Sequence, residues 1–216
     1  SAFAGSEDAS NLGGALTFSG TSQGAKNAGN YAIKAGGLTS GNYDISYIDG
    51  ALSIGRASLT VTAADASKTY DAAAWNGGNG VTYSAFAGSE DASNLGGALT
   101  FSGTSQGAKN AGNYAIKAGG LTSGNYDISY IDGALSIGRA ALAINPVAGQ
   151  QAKIGDKAFR IAFDAVGWKG DDGVSLISGA LDYDGASVGR RAINLGSISA
   201  GANYIVALVA GATIEV

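Results

Sequence analysis

The chain repeats itself: residues 1–57 recur without one substitution as residues 84–140, an offset of 83. A fixed period marks an array, and one of 83 is far longer than the roughly 20–47 residues of helical or leucine-rich solenoids, so each unit is expected to be a domain in its own right. Identity stops at Ser58 against Ala141, yet Leu59 still matches Leu142 and Val61 faces Ile144, so a third, divergent unit opens near residue 140. The expected organisation is an N-terminally truncated copy over 1–56, a complete copy over 57–139 and a divergent copy over 140–216.

Within the complete unit, apolar and polar residues alternate. The runs are Leu59–Thr62, Val81–Tyr83, Leu99–Phe101, Tyr114–Lys117, Tyr126–Tyr130 and Leu135–Ile137. A period of two means strands with one buried face. Asn76-Gly77, Asn79-Gly80 and Asp132-Gly133 supply turn residues, and hairpins are the expected outcome. Glu90–Leu95 reads as a helical turn too short to stand alone. The third unit repeats the plan through Leu142–Ile144, Phe159–Phe163, Ala180–Tyr183, Ala192–Leu195, Tyr204–Val206 and Thr213–Val216. The fold class predicted is mainly β: tandem small modules, sandwich or β-grasp-like, of about six strands each. Units meet at Gly138-Arg139-Ala140 with no flexible spacer, which predicts a rod.

Composition removes whole classes of chemistry. Of 216 residues, 36 are Gly and one is Pro, with no His, Cys or Met. That leaves no Ser-His-Asp triad, thiol nucleophile, ordinary zinc site or disulfide. A net charge of −4 with singly scattered Lys and Arg argues against a nucleic-acid groove, and Gly, Ser and Asp interrupt every apolar run before it reaches membrane-spanning length. The polar opening, Gly5-Ser6-Glu7-Asp8, does not read as a signal peptide.

Certain motifs carry a resemblance. Lys68-Thr69-Tyr70-Asp71, Ser123–Tyr130 and Asp132–Ile137 resemble the tandem YDG-type modules of large bacterial surface exoproteins, with Ala72 standing where that family has its eponymous glycine. The third unit, through Gly155-Asp156, Gly189, Ala200–Tyr204 and Gly211–Ile214, is similar to the related MBG-type modules. The resemblance implies a segment of a filamentous-haemagglutinin-like adhesin, secreted to the surface of a Gram-negative bacterium, and a contribution to biofilm or host attachment. Absence of Cys agrees with passage through an oxidising periplasm.

Candidate sites are few. Asp171-Asp172-Gly173 and Asp182-Tyr183-Asp184-Gly185 set hard oxygen ligands beside glycines, a weak calcium pattern without the closing Glu of a full binding loop. Asp182 and Asp184, two apart on a strand, share a face and form the better of two carboxylate pairs for a glycosidase-like reaction, the other being Glu90-Asp91. Turn chemistry explains the same aspartates. Trp75, beside the Asn-Gly turns, is the aromatic expected to be exposed and able to stack on a sugar, whereas the strand tyrosines are expected to pack across sheets. Calcium aside, no cofactor and no catalytic residue is expected.

The function expected is therefore a spacer that extends an adhesin's binding tip, its partners being neighbouring modules, with no nucleic acid and no membrane insertion. Recognition of host or matrix glycan or protein by exposed aromatics is the alternative, and a carboxylate-based glycoside hydrolase the third. Residues 57–83 occur once while the segment they complete occurs twice. One segment for two faces leaves the first copy either poorly ordered or completed by strand exchange with another molecule.

Overall fold

The computed structural model describes residues 3–156 and 158–216; Ser1 and Ala2 at the head of the first copy, and Lys157, lie outside them. The protein is mainly β, with sixteen strands among the described residues and only single 3₁₀ turns for helix. None of these helices is long or apolar enough to cross a membrane. The chain divides into two compact units, one of residues 1–60, 84–97 and 121–129, the other of residues 61–83, 98–120 and 130–216.

The first unit holds the first copy's sheet, β1 (Gly13–Ser19), β2 (Gly29–Thr39) and β3 (Gly50–Ile54), in the order β1-β2-β3. Both pairings are antiparallel, with Phe18 opposite Ala35 and Tyr31 opposite Leu52. Residues 43–48 are irregular here.

In the complete copy the same sequence builds more. It contains β4 (Ala57–Ala63), β5 (Ala66–Thr69), β6 (Val81–Tyr83), β7 (Gly96–Ser102), β8 (Gly112–Thr122), β9 (Tyr126–Ile131) and β10 (Gly133–Gly138). They form two sheets, β6-β4-β9 and β5-β10-β8-β7. The divergent copy follows with β11 (Ala140–Pro146), β12 (Phe163–Val166), β13 (Asp182–Tyr183), β14 (Arg190–Asn194), β15 (Tyr204–Leu208) and β16 (Thr213–Glu215), arranged as β12-β11-β15 and β13-β14-β16. The plan is shared: β11 lies parallel to β15 and antiparallel to β12, while β14 pairs antiparallel with β16.

Alternation explains the core of the second unit. Ile116, Leu135 and Ile137 point inward from one sheet of the complete copy, and Leu142, Ile144, Ile193 and Ile214 come from both sheets of the divergent copy. Most are fully buried, each worth about 1.5–3 kcal/mol relative to exposure. Side chains from both sheets of the divergent copy and from the four-stranded sheet of the complete copy join one buried cluster.

Two local expectations change and a third holds. Asp132-Gly133 is not a hairpin turn: β9 and β10 belong to different sheets, and Asp132 alone carries the chain across. Gly133 is needed there for close approach, since a Cβ would meet the carbonyl oxygens of Ala63 and Ala64 at 2.7 and 2.8 Å. Of Phe159–Phe163 only Phe163 is strand, because side chains take the ladder's bonds: Asp156 accepts from the Ala158 and Phe159 amides, and Gln150 both accepts from the Ala162 N–H and donates to its carbonyl. Glu90–Leu95 does hold a 3₁₀ turn, Ala92–Asn94, capped by Asp91.

Ala72 is the only non-glycine residue described with positive φ, at 63°. This is the left-handed region where a Cβ costs roughly 1–2 kcal/mol. The position is a glycine site occupied by alanine. Ala72→Gly is expected to raise stability by about 0.5–1 kcal/mol net of the added freedom of the unfolded chain, or a few degrees in Tm by calorimetry; an unchanged or lower Tm would contradict the strain.

Candidate functional site: a repeated tyrosine–carboxylate clasp

One cluster recurs in all three copies. In the divergent copy, the Lys169 N–H donates to the Tyr204 hydroxyl at 2.8 Å, that hydroxyl donates to Asp172 Oδ2 at 2.7 Å, and Trp168 meets the Tyr204 ring edge-on at 5.1 Å. In the complete copy the set is Ala87 N–H to Tyr126 hydroxyl at 2.8 Å, Tyr126 to Glu90 Oε2 at 2.5 Å, and Phe86 edge-on at 5.6 Å. The first copy has Ala4, Tyr43, Glu7 and Phe3 in those roles. An aromatic, an acid four residues later and a distant tyrosine thus tie a loop to the end of a sheet.

In the second unit the clasp gains a member. Tyr70 donates its hydroxyl to the same Asp172 Oδ2 at 2.8 Å, and its ring meets Tyr204 edge-on at 5.5 Å. The Lys68-Thr69-Tyr70-Asp71 motif of the complete copy therefore reaches the divergent copy. Lys68 staples that turn through Asp71 at 2.6 Å and the Ala73 carbonyl at 2.8 Å, and its ammonium holds the Asp71 carboxyl below the usual range. Edge-to-face pairs add about 0.5–1.5 kcal/mol each, and hydrogen bonds to a charged carboxylate about 1.5–3.

An asparagine latch stands beside the Tyr204 and Tyr126 clasps. Asn203 accepts from the Ala111 N–H at 2.9 Å, donates to Asn110 Oδ1 at 3.1 Å, and its carbonyl takes the Ala140 N–H at 2.9 Å. Asn125 repeats this in the first unit with Ala28, Asn27 and Ala57. Only Arg139 separates β10 from β11, and only Gly55-Arg56 separates β3 from β4.

The clasp requires neutral tyrosines, because a phenolate would repel the carboxylate it now serves as donor. Burial, followed by the bond to Asp172, pushes Tyr204 up to about 12. For Tyr70 the Asp172 bond comes first and burial second, and for Tyr126 and Tyr43 the leading cause is the bond to Glu90 and Glu7. Such a site holds surfaces together through hydrogen bonds and edge-to-face ring contacts.

The residues singled out from sequence fall in four places. Asp172 is committed to two tyrosine hydroxyls, while Asp171 beside it takes no part in the clasp. Asp182 and Asp184 line one open groove of about 780 Å³ in the divergent copy, along with Asp156, Phe159, Arg160 and Tyr183. Within it Asp156 and Asp184 accept backbone N–H groups of their own turns. Among the described residues no three Asp or Glu side chains gather as a metal site would require. Trp75 is half-buried against the core, with its indole N–H shielded and without an acceptor among the described residues, rather than presented outward. The reason is local: its backbone pairs on both sides with Gly107 and Ala108. Glu90-Asp91 separate in role, Glu90 serving the clasp and Asp91 capping a turn.

The clasp itself was not anticipated as a site. Its signal was present in the recurrence Phe3–Glu7–Asn42-Tyr43, Phe86–Glu90–Asn125-Tyr126 and Trp168–Asp172–Asn203-Tyr204.

Fold and clasps together define a repeat-type protein of tandem β modules. Residues 1–53 and 59–136 match the model of the MBG domain (YGX type), more than half of the chain. The chain belongs to the MBG domain family. The match lies on the two identical copies, which carry the YDG-like motifs, and residues 137–216 fall outside it. No curated protein and no solved structure matches the chain.

Because the native state keeps Tyr204 and its neighbours protonated where the unfolded chain has released those protons, the stability contributed by these tyrosines is expected to be level below about pH 10 and to fall as pH rises through about 12. Denaturant melts across that range should show the fall. Tyr204→Phe should cost about 1–3 kcal/mol, by orphaning the Lys169 N–H and removing one donor to Asp172, and should flatten the alkaline decline; a wild-type slope in the variant would remove Tyr204 from the account.

Proposed function

We propose that this chain is a structural spacer segment of a large bacterial surface or secreted adhesin, a stack of modules that carries a binding tip away from the cell. The observation that supports it most is the clasp between the complete and divergent copies. Tyr70 and Asn110 of one reach Asp172 and Asn203 of the next, while the covalent link between the flanking strands is one residue long. A joint closed by aromatic contacts, charged hydrogen bonds and a minimal linker resists hinge motion, whereas a flexible tether would show a polar spacer. MBG membership, the YDG-like motifs and the likeness to filamentous-haemagglutinin-like proteins agree with export to the outer surface of a Gram-negative cell.

The groove beside Asp182 and Asp184 gives the glycan-binding alternative its most definite location, two aromatic rings beside carboxylates and an arginine. Asp156 and Asp184 already serve turns, and the spacer reading does not need the groove.

Solution scattering tests the proposal. The chain is expected to scatter as an elongated particle, and Asp172→Ala is expected to broaden its distance distribution by loosening the joint. A compact globule, or saturable binding on a glycan array lost in Asp184→Asn or Trp75→Ala, would overturn the spacer reading in favour of recognition.

A further inference from the structure

The two identical copies form an internal comparison. Leu16 and Phe18 of the first copy are 53% and 59% exposed, whereas Leu99 and Phe101, the same residues one period later, are half-buried. Ile33, Leu52 and Ile54 are only partly covered; Ile116, Leu135 and Ile137 are 0%, 0% and 3% exposed. Sequence cannot cause the difference, since there is none. What differs is the cover supplied by residues 61–83.

That cover is specific. β5 runs parallel to β10, with Ala66 opposite Leu135 and Thr69 opposite Gly138, and the Tyr70 N–H extends the ladder to the Gly138 carbonyl at 2.7 Å. Gly78 lies flat on the Phe101 ring, leaving no room for a Cβ. Trp75 exchanges backbone bonds with Gly107 and Ala108 at 2.7 and 2.9 Å, and the Gln106 amide closes a two-way bond with Gly77 at 2.7 Å. In the first copy the corresponding Gly24 N–H, Ala25 carbonyl and Gln23 side-chain carbonyl meet no protein partner among the described residues, and β3 is an edge strand.

We propose that the sheet face and β3 edge of the first copy are an acceptor site for an extended segment with the chemistry of residues 57–83, docked as that segment docks on the complete copy: a parallel strand added to β3, followed by a tryptophan and a Gly-Gly turn laid over Phe18. Addition of a strand to an exposed edge supplies backbone bonds for affinity and side-chain pockets for selectivity. The occupant is a further example of this segment, because this chain's own copy is engaged by the complete unit and its withdrawal would uncover one face to cover the other. The site goes beyond the spacer reading and does not depend on it.

A labelled synthetic peptide of residues 57–83, titrated into the full chain and followed by fluorescence anisotropy, tests this. Saturable binding of one peptide per chain is expected. Phe18→Asp, a change at an exposed position of the first copy alone, should weaken it by at least about tenfold, equivalent to ~1.4 kcal/mol, and a Trp75→Ala peptide should show a comparable loss. Two results would overturn the proposal: no saturable binding up to the peptide's solubility, or binding unaltered by Phe18→Asp, which would place the peptide on the complete copy by displacement.

Discussion

Closure of an alternating sheet by a covering segment is the constraint from which the rest of this structure follows. A strand pattern with period two creates one apolar face, and that face is stable only when something lies on it. Residues 61–83 provide that cover for the complete copy, where Ile116, Leu135 and Ile137 lie out of solvent, and β4, which begins at Ala57, stands beside residues 126–131 as their strand neighbour. The identical residues 43–48 have no such neighbour and stay irregular, so strand formation here is a property of pairing and burial rather than of local preference.

Once modules are closed, their ends become available for joining, and the clasp is how the joint is made. Tyr70 sits one residue past β5 in the covering segment itself, so the element that closes the complete copy also reaches Asp172 and Tyr204 of the divergent copy. Closure and joining are therefore coupled through the Lys68–Asp71 turn.

Much of the fold could be read from sequence because alternation is a local signal. All six runs proposed for the complete copy lie in strands. What escaped was set by distant partners. β5, Ala66–Thr69, has a weak apolar pattern and exists because β10 offers its edge. The crossing at Asp132-Gly133 looks like a hairpin turn until both sheets are known. Trp75 appears suited to exposure from its glycine-rich surroundings, yet Gly107 and Ala108 hold its backbone and the core takes its ring. The clasp links residues up to 102 apart, and no periodicity describes such a bond. Its only sequence trace is the recurrence of an aromatic, an acid and Asn-Tyr in each copy.

The most direct test of closure by residues 61–83 is residue-resolved hydrogen exchange by NMR on a segmentally labelled chain, comparing Ile33 with Ile116, which share every sequence neighbour and differ only in cover. The account predicts that the Ile116 amide exchanges at least about a hundredfold more slowly, since opening a sealed core costs more than opening an uncovered sheet. Equal protection of the two amides would contradict it.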